Sequence, residues 1–216
     1  FNAGMTVLEK LQSGGVRAVN PGCVPHSTSN SAMSWLLMRL GITGYNCTLA
    51  TGDCAGLDSI AHAASILQAK QADHLLAGGV AAFHPILWQS HHRSNLAEGV
   101  GLVTVSASPT QALCKIQDFT SSFAGQNPDL ALQQACEQLT GSVEIHWALS
   151  PHPVELNLPD IEIVALEPTT GYCLAAGGAM TAAAGAHKVA GTHTSGLICA
   201  TSPEGFASVM LLTPTK

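Results

Sequence analysis

A chain of 216 residues with 14 acidic and 8 basic side chains, a formal charge of −6, has too few cations for nucleic acid or an anionic membrane as partner. Hydrophobic residues make up 46% and charged residues only 10%, and 21 glycines accompany a high alanine content. That is the profile of an α/β protein with sheets covered on both faces. No apolar run reaches the ~20 residues of a spanning helix, Phe1-Asn2-Ala3-Gly4-Met5 lacks the features of a signal peptide, and seven cysteines without a CxxC pair fit reduced thiols, so a cytoplasmic protein is expected.

In chain order, residues 5–12 read as a helix ended by Gly14-Gly15, and 21–25 as a loop. Residues 27–39 form a second predicted helix, with Met33, Leu36, Leu37 and Leu40 at helical spacing. A strand over 46–51 stops at Thr51-Gly52-Asp53 and restarts as an alanine-rich helix over 54–69. Strands follow at 73–78, 100–106 and 112–123, then a helix at 128–139 behind Pro128. Strands at 143–149 and 161–166 are joined by a proline-rich segment too short for a good helix. A small-residue helix over 175–189 and strands at 196–201 and 206–212 close the chain. Strand and helix alternate in two similar runs, so the class is α/β.

Ten histidines invite a metal reading, but His62, His91-His92, His146, His152, His187 and His193 show neither HExxH nor finger spacing, and no metal site is predicted.

Several segments carry a family resemblance. "GYNCTLATGDCAGLDSIAHAASILQAKQADHLLAGGV" (44–80) looks like the nucleophile segment of β-ketoacyl synthases of the thiolase fold: strand, elbow, buried helix, then an "AD…AGG" strand. "PGCVPHSTSNSAMSWLLMRLGITG" precedes it as the family's loop and helix do. "AEGVGLVTV", "EPTTGYCLAAGGAMTAAAGA" and "ICATSPEGFASVMLL" resemble later family segments. The resemblance covers nearly the whole chain. It implies a thiolase-like αβαβα layered fold, with residues 1–106 a partial N-terminal half and 107–216 a compact C-terminal half, and no cofactor.

Carried across, the family's catalytic groups are missing. The nucleophilic cysteine position falls on Asp53, the first histidine on Leu149, the second on Tyr172, the lysine on Glu167, and the oxyanion turn on Ser202-Pro203-Glu204-Gly205, where Pro203 has no N–H to give. Cys54 lies one residue past the nucleophile position, about 100° round a helix start. Asp53 is expected to cap the orphan N–H groups of the following helix.

The resemblance implies inactive family members, the chain-length factors of type II polyketide systems, as the first functional reading. Such a factor pairs with an active ketosynthase, meets acyl carrier protein indirectly, and lines the acyl tunnel; the matching positions are Phe1, Asn2, Met5, Gly22 and Cys23. The interface would be Asn46, Cys47, Thr48, Leu49, Ala50 and Thr51. A second reading is a carrier-protein-dependent decarboxylase or acyltransferase using Asp53, Cys54 or a histidine such as His26 or His193; a third is a structural remnant. In the implied order 3-2-1-4-5 of the first half-sheet, 46–51 would be strand 3 and the next two would be strands 4 and 5. Strand 3 then lacks a neighbour in its own chain, and a cleaved or longer precursor, or a second fragment supplying strands 1 and 2, is expected.

Overall fold

The computed structural model describes residues 2–82, 94–108, 110–139, 143–156, 158 and 160–215. The described chain falls into two compact units, residues 2–50 and residues 51–82 with 94–215.

The first unit holds α1 (Asn2–Gly14), 3-10 turns at Val16–Ala18 and Pro21–Ser27, and α2 (Ser31–Leu40). The side chain of Asn20 accepts from the Gly22 N–H at 2.9 Å and starts the second turn. Gly41, left-handed at φ 62°, ends α2. Trp35 Nε1–H donates to His26 Nδ1 at 3.2 Å. The strand expected at 46–51 does not form: these residues are coil, and Asn46, Cys47, Thr48 and Ala50 are exposed. An extended apolar segment becomes a strand only when another strand takes up its N–H and C=O groups, and the described residues offer it none.

The second unit is layered. Its elements are α3 (Ala55–Gln68), β1 (His74–Ala81), β2 (Gly99–Ser106), β3 (Lys115–Phe123), α4 (Pro128–Gln138), β4 (Trp147–Ser150), β5 (Ile163–Ala165), a single turn α5 (Glu167–Thr170), α6 (Leu174–Thr192), β6 (Gly196–Thr201) and β7 (Phe206–Thr213). Apart from α5, each lies where the sequence places it. Antiparallel β1 and β2 form one sheet, in the neighbouring positions expected of strands 4 and 5. The other sheet has the order β3-β7-β6-β4-β5, with β4 parallel to β5 and β6, and β7 antiparallel to β6 and β3.

Helices α3 and α6 touch both sheets and form the layer between them, while α4 covers the opposite face of the five-stranded sheet. This is why every residue of β6 is buried, and all of β7 except its two ends. It also explains the small residues of the middle layer. A Cβ on Gly56 of α3 or on Gly79 of β1 would lie 2.2 or 2.3 Å from the carbonyl oxygen of Ala175, so helix, strand and α6 meet backbone to backbone. No helix among the described residues is long and apolar enough to cross a membrane.

Candidate functional site

The site is built where the N-terminal ends of α3 and α6 meet the end of β6. A 3-10 turn, Gly52–Cys54, leads into α3. Gly52 holds φ +60°, and a Cβ there would stand 2.5 Å from Ser202 Oγ, so only glycine brings this bend against the 202–205 turn. The bend delivers Asp53, 5% exposed, to Tyr172, 3% exposed, whose hydroxyl donates to Asp53 Oδ2. The two N-cap residues here, Thr51 and Cys54, make no side-chain cap bond, and the Asp53 carboxylate accepts from a phenol across the site.

Backbone fixes Tyr172 from both sides. Its N–H donates to Asn95 O at 2.8 Å and its carbonyl accepts from Ala97 N at 3.0 Å, a parallel bridge centred on Leu96. The same Asn95 donates through Nδ2 to Glu167 Oε1 at 2.6 Å. The structure therefore brings together three of the four positions expected from the resemblance: Asp53 and Tyr172 in direct contact, Glu167 one residue removed through Asn95. Leu149 is different. It lies in β4 and packs in the apolar cluster with Cys54 and Leu57, so hydrocarbon fills that part of the core.

His152 was not singled out from the sequence as a site residue. It is buried, its Nε2 is 2.9 Å from Thr201 Oγ1, and its ring lies 5.6 Å from that of Tyr172. With Tyr172, Thr201 and Pro203 it lines an open cleft of about 430 Å³. The signal available was its place in the Ser150-Pro151-His152-Pro153 bend directly after a buried strand. Nothing else in the spacing separates it from nine other histidines.

Cys54 is corrected as a nucleophile. Its thiol is fully buried, points at the carbonyl oxygens of Ala200 and Phe206 at 3.6 and 3.7 Å, and is pushed up to about 12. Burial is the main cause, followed by the Asp58 carboxylate, with Asp53 and Glu204 adding to it against the Ser208 hydroxyl. His193 is also corrected: it ends the 19-residue α6, roughly 28 Å of helix rise from the Tyr172 end. His26 is engaged by Trp35 in the first unit. In the 202–205 turn the Ser202 N–H is taken by Phe206 O and the Gly205 N–H by Ser202 O, each within 2.9 Å, and Pro203 has none. Phe1, His91 and His92 lie outside the described residues. Met5, Gly22 and Cys23 lie in the first unit, Cys23 half-buried. No three His, Cys, Asp or Glu side chains gather as a metal site among the described residues.

A layered α/β fold with this elbow is that of the thiolase-like ketosynthases, and the comparisons agree. Residues 2–107 match the β-ketoacyl synthase N-terminal domain. The ishigamide ketosynthase/chain length factor superposes with a TM-score of 0.76 at 18% identity, covering 99% of this chain and 70% of that one. A type II polyketide synthase ketosynthase, in a complex of acyl-carrier protein with its ketosynthase bound to the hexaketide, gives 0.75 at 14% identity, covering 96% and 71%. A β-ketoacyl synthase from Burkholderia phymatum STM815 gives 0.77 at 11%, covering 99% and 72%. The chain is thus ketosynthase-like in fold: residues 2–107 resemble the N-terminal domain of β-ketoacyl synthases, and the whole has the thiolase-like fold.

Proposed function

We propose that this chain is a noncatalytic, chain-length-factor-like subunit that pairs with an active β-ketoacyl synthase and shapes the acyl tunnel in type II polyketide or related fatty-acid-like biosynthesis. The observation that carries this reading is the Asp53–Tyr172 contact. A carboxylate and a phenol hold each other where condensation needs a thiolate and an imidazole, and neither Cys54 nor the 202–205 turn replaces what is lost. In this reading residues 1–106 and 107–216 are the two halves of the fold. Phe1, Asn2, Met5, Gly22 and Cys23 face the acyl tunnel, the segment Asn46 to Thr51 meets the partner ketosynthase, and acyl carrier protein docks chiefly on that partner. The exposed apolar residues Trp35, Met38 and Leu40, at 56%, 68% and 59%, favour a partner over the first unit.

Native purification with size-exclusion chromatography and intact mass tests it. The chain should elute with a ketosynthase, and Leu49→Asp should release the partner while leaving the second unit folded. A folded 22.2 kDa monomer with nothing bound overturns the proposal.

One observation favours a second reading, a decarboxylase acting on a carrier-bound substrate: the cleft beside Asp53, with His152 and Tyr172 in its wall. Incubation with a malonylated carrier protein, read by mass for loss of carbon dioxide, separates the two.

A further inference from the structure

We propose that Thr201 and His152 form a nucleophile–base pair that hydrolyses short, uncharged acyl thioesters entering the cleft beside them. The proposal goes beyond the chain-length-factor-like reading and does not rest on it: the groups that reading finds lost are those of condensation, and hydrolysis here uses others. Thr201 is the last residue of β6, and His152 follows the end of β4 by two positions. The two strands are parallel neighbours, and the register that pairs Leu149 with Ile198 carries on to set His152 level with Thr201. Both residues therefore stand at the carboxyl ends of adjacent strands, the edge of an open α/β sheet where ligands bind. Thr201 Oγ1 lies 2.9 Å from His152 Nε2, the separation a nucleophile and its base require.

Local sequence holds the base in place. His152 stands between Pro151 and Pro153, and a residue before proline is confined to extended backbone. Pro151 packs on α6, where a Cβ on Gly177 would stand 2.9 Å from the proline Cβ. Thr201 is 5% exposed and His152 8%, yet both line the open cleft of about 430 Å³. That volume lies in the range of small-molecule sites and takes a short acyl chain with the thiol end that carries it. Pro128, Val154 and Pro203 supply apolar wall, while Asp129 and Glu155 bring two carboxylates and no Lys or Arg is among the lining residues. Such a wall disfavours an acid-terminated acyl group such as malonyl and admits neutral chains such as acetyl or butyryl.

The chemistry balances with water as the second reactant. With the ring proton on Nδ1, His152 Nε2 takes the hydroxyl proton as Thr201 Oγ1 attacks the thioester carbonyl. A C–O bond forms, the C–S bond breaks, and the imidazolium gives its proton to the departing sulfur. Water then loses a proton to Nε2 and attacks the ester carbonyl; the C–O bond to Thr201 breaks and the proton returns to Oγ1. One thioester and one water become one carboxylic acid and one thiol. The Ser202 and Gly205 N–H groups are bonded within their own turn, so the acceleration expected is that of general-base catalysis alone, about 10²–10⁴-fold.

The test uses the natively purified full chain with any partner it carries, treated with iodoacetamide so that thiol-dependent hydrolysis does not compete, and butyryl-N-acetylcysteamine as the probe. Release of butyrate should fall about a hundredfold or more in Thr201→Val and in His152→Gln, and Thr201→Ser, which keeps the hydroxyl, should retain it. Acid quenching in the first turnovers should leave one acyl group on this chain, mapped by proteolysis to residue 201, because an oxygen ester is hydrolysed more slowly than the thioester that formed it. The malonyl thioester of the same thiol should react more slowly than the butyryl one. An acyl group on another residue or on none, equal rates in the wild type and Thr201→Val, or faster consumption of malonyl than of butyryl overturns the proposal. The adduct map needs no substitution and decides the matter even if Thr201→Val fails to fold. Co-elution with a ketosynthase is a separate measurement, so failure of hydrolysis leaves the subunit reading standing, and loss of co-elution leaves this one.

Discussion

Tyr172→Phe isolates one hydroxyl. The ring keeps its place against His152, and the backbone bridge to Asn95 and Ala97 is untouched, because neither involves the phenolic oxygen. What is lost is one donor to Asp53, a carboxylate that is 5% exposed. Removing one partner of a buried hydrogen bond to a charged group costs about 1.5–3 kcal/mol. Taking about 2 kcal/mol, the folded-to-unfolded ratio falls about thirtyfold and the midpoint of thermal unfolding drops by about 4–8 °C for a chain of this size. Urea unfolding followed by tryptophan fluorescence measures it, with buried Trp147 reporting on the second unit. Tyr172→Phe, Asp53→Asn and the double variant complete a cycle in which the losses should fail to add by 1 kcal/mol or more, in the usual range for residues in contact, roughly 0.5–3 kcal/mol. A change below about 0.5 kcal/mol in Tyr172→Phe, or full additivity, would refute the view that this contact holds the elbow to α6.

Asp53→Cys should not produce condensing activity, because Tyr172 and Leu149 supply neither histidine; elongation of an acyl chain by this single variant would show that those positions are not barriers. Cys23→Phe should shorten the products of the complex with the active ketosynthase, and an unchanged product distribution would remove Cys23 from the tunnel wall. Asp58 accepts from Ser208 at 2.5 Å and from Thr51, yet burial still pushes its carboxyl above the ordinary 3.8. The native state therefore holds this proton where the unfolded chain has released it, and its contribution to stability falls as pH rises from 3.8 through the raised value. Measured by denaturation across that window, the wild type should lose stability relative to Asp58→Asn with rising pH, and parallel profiles would contradict the shift.

Much of the architecture was legible in the residues themselves. Apolar runs of strand length, glycine punctuation and the alanine-rich periodicity of 54–69 and 175–189 are local properties, and β1 to β7, α3, α4 and α6 form where those properties put them. The segment 46–51 was misjudged for a physical reason: its side chains suit a strand, but a strand exists only through hydrogen bonds to a neighbour, and sequence pattern carries no information on whether that neighbour is there.

At the positions the resemblance implies, the sequence by itself places Asp53, Leu149, Glu167 and Tyr172, residue types fixed by the chain whatever its fold. Only the tertiary structure decided which of them meet. Asp53 and Tyr172 are 119 residues apart, and His152 and Thr201 are 49 apart. Such pairs arise from layer packing, in which glycine contacts such as Gly56 and Gly79 against Ala175 set how closely helix and sheet approach. That distance is a property of the assembled layers and is written in no single stretch of chain.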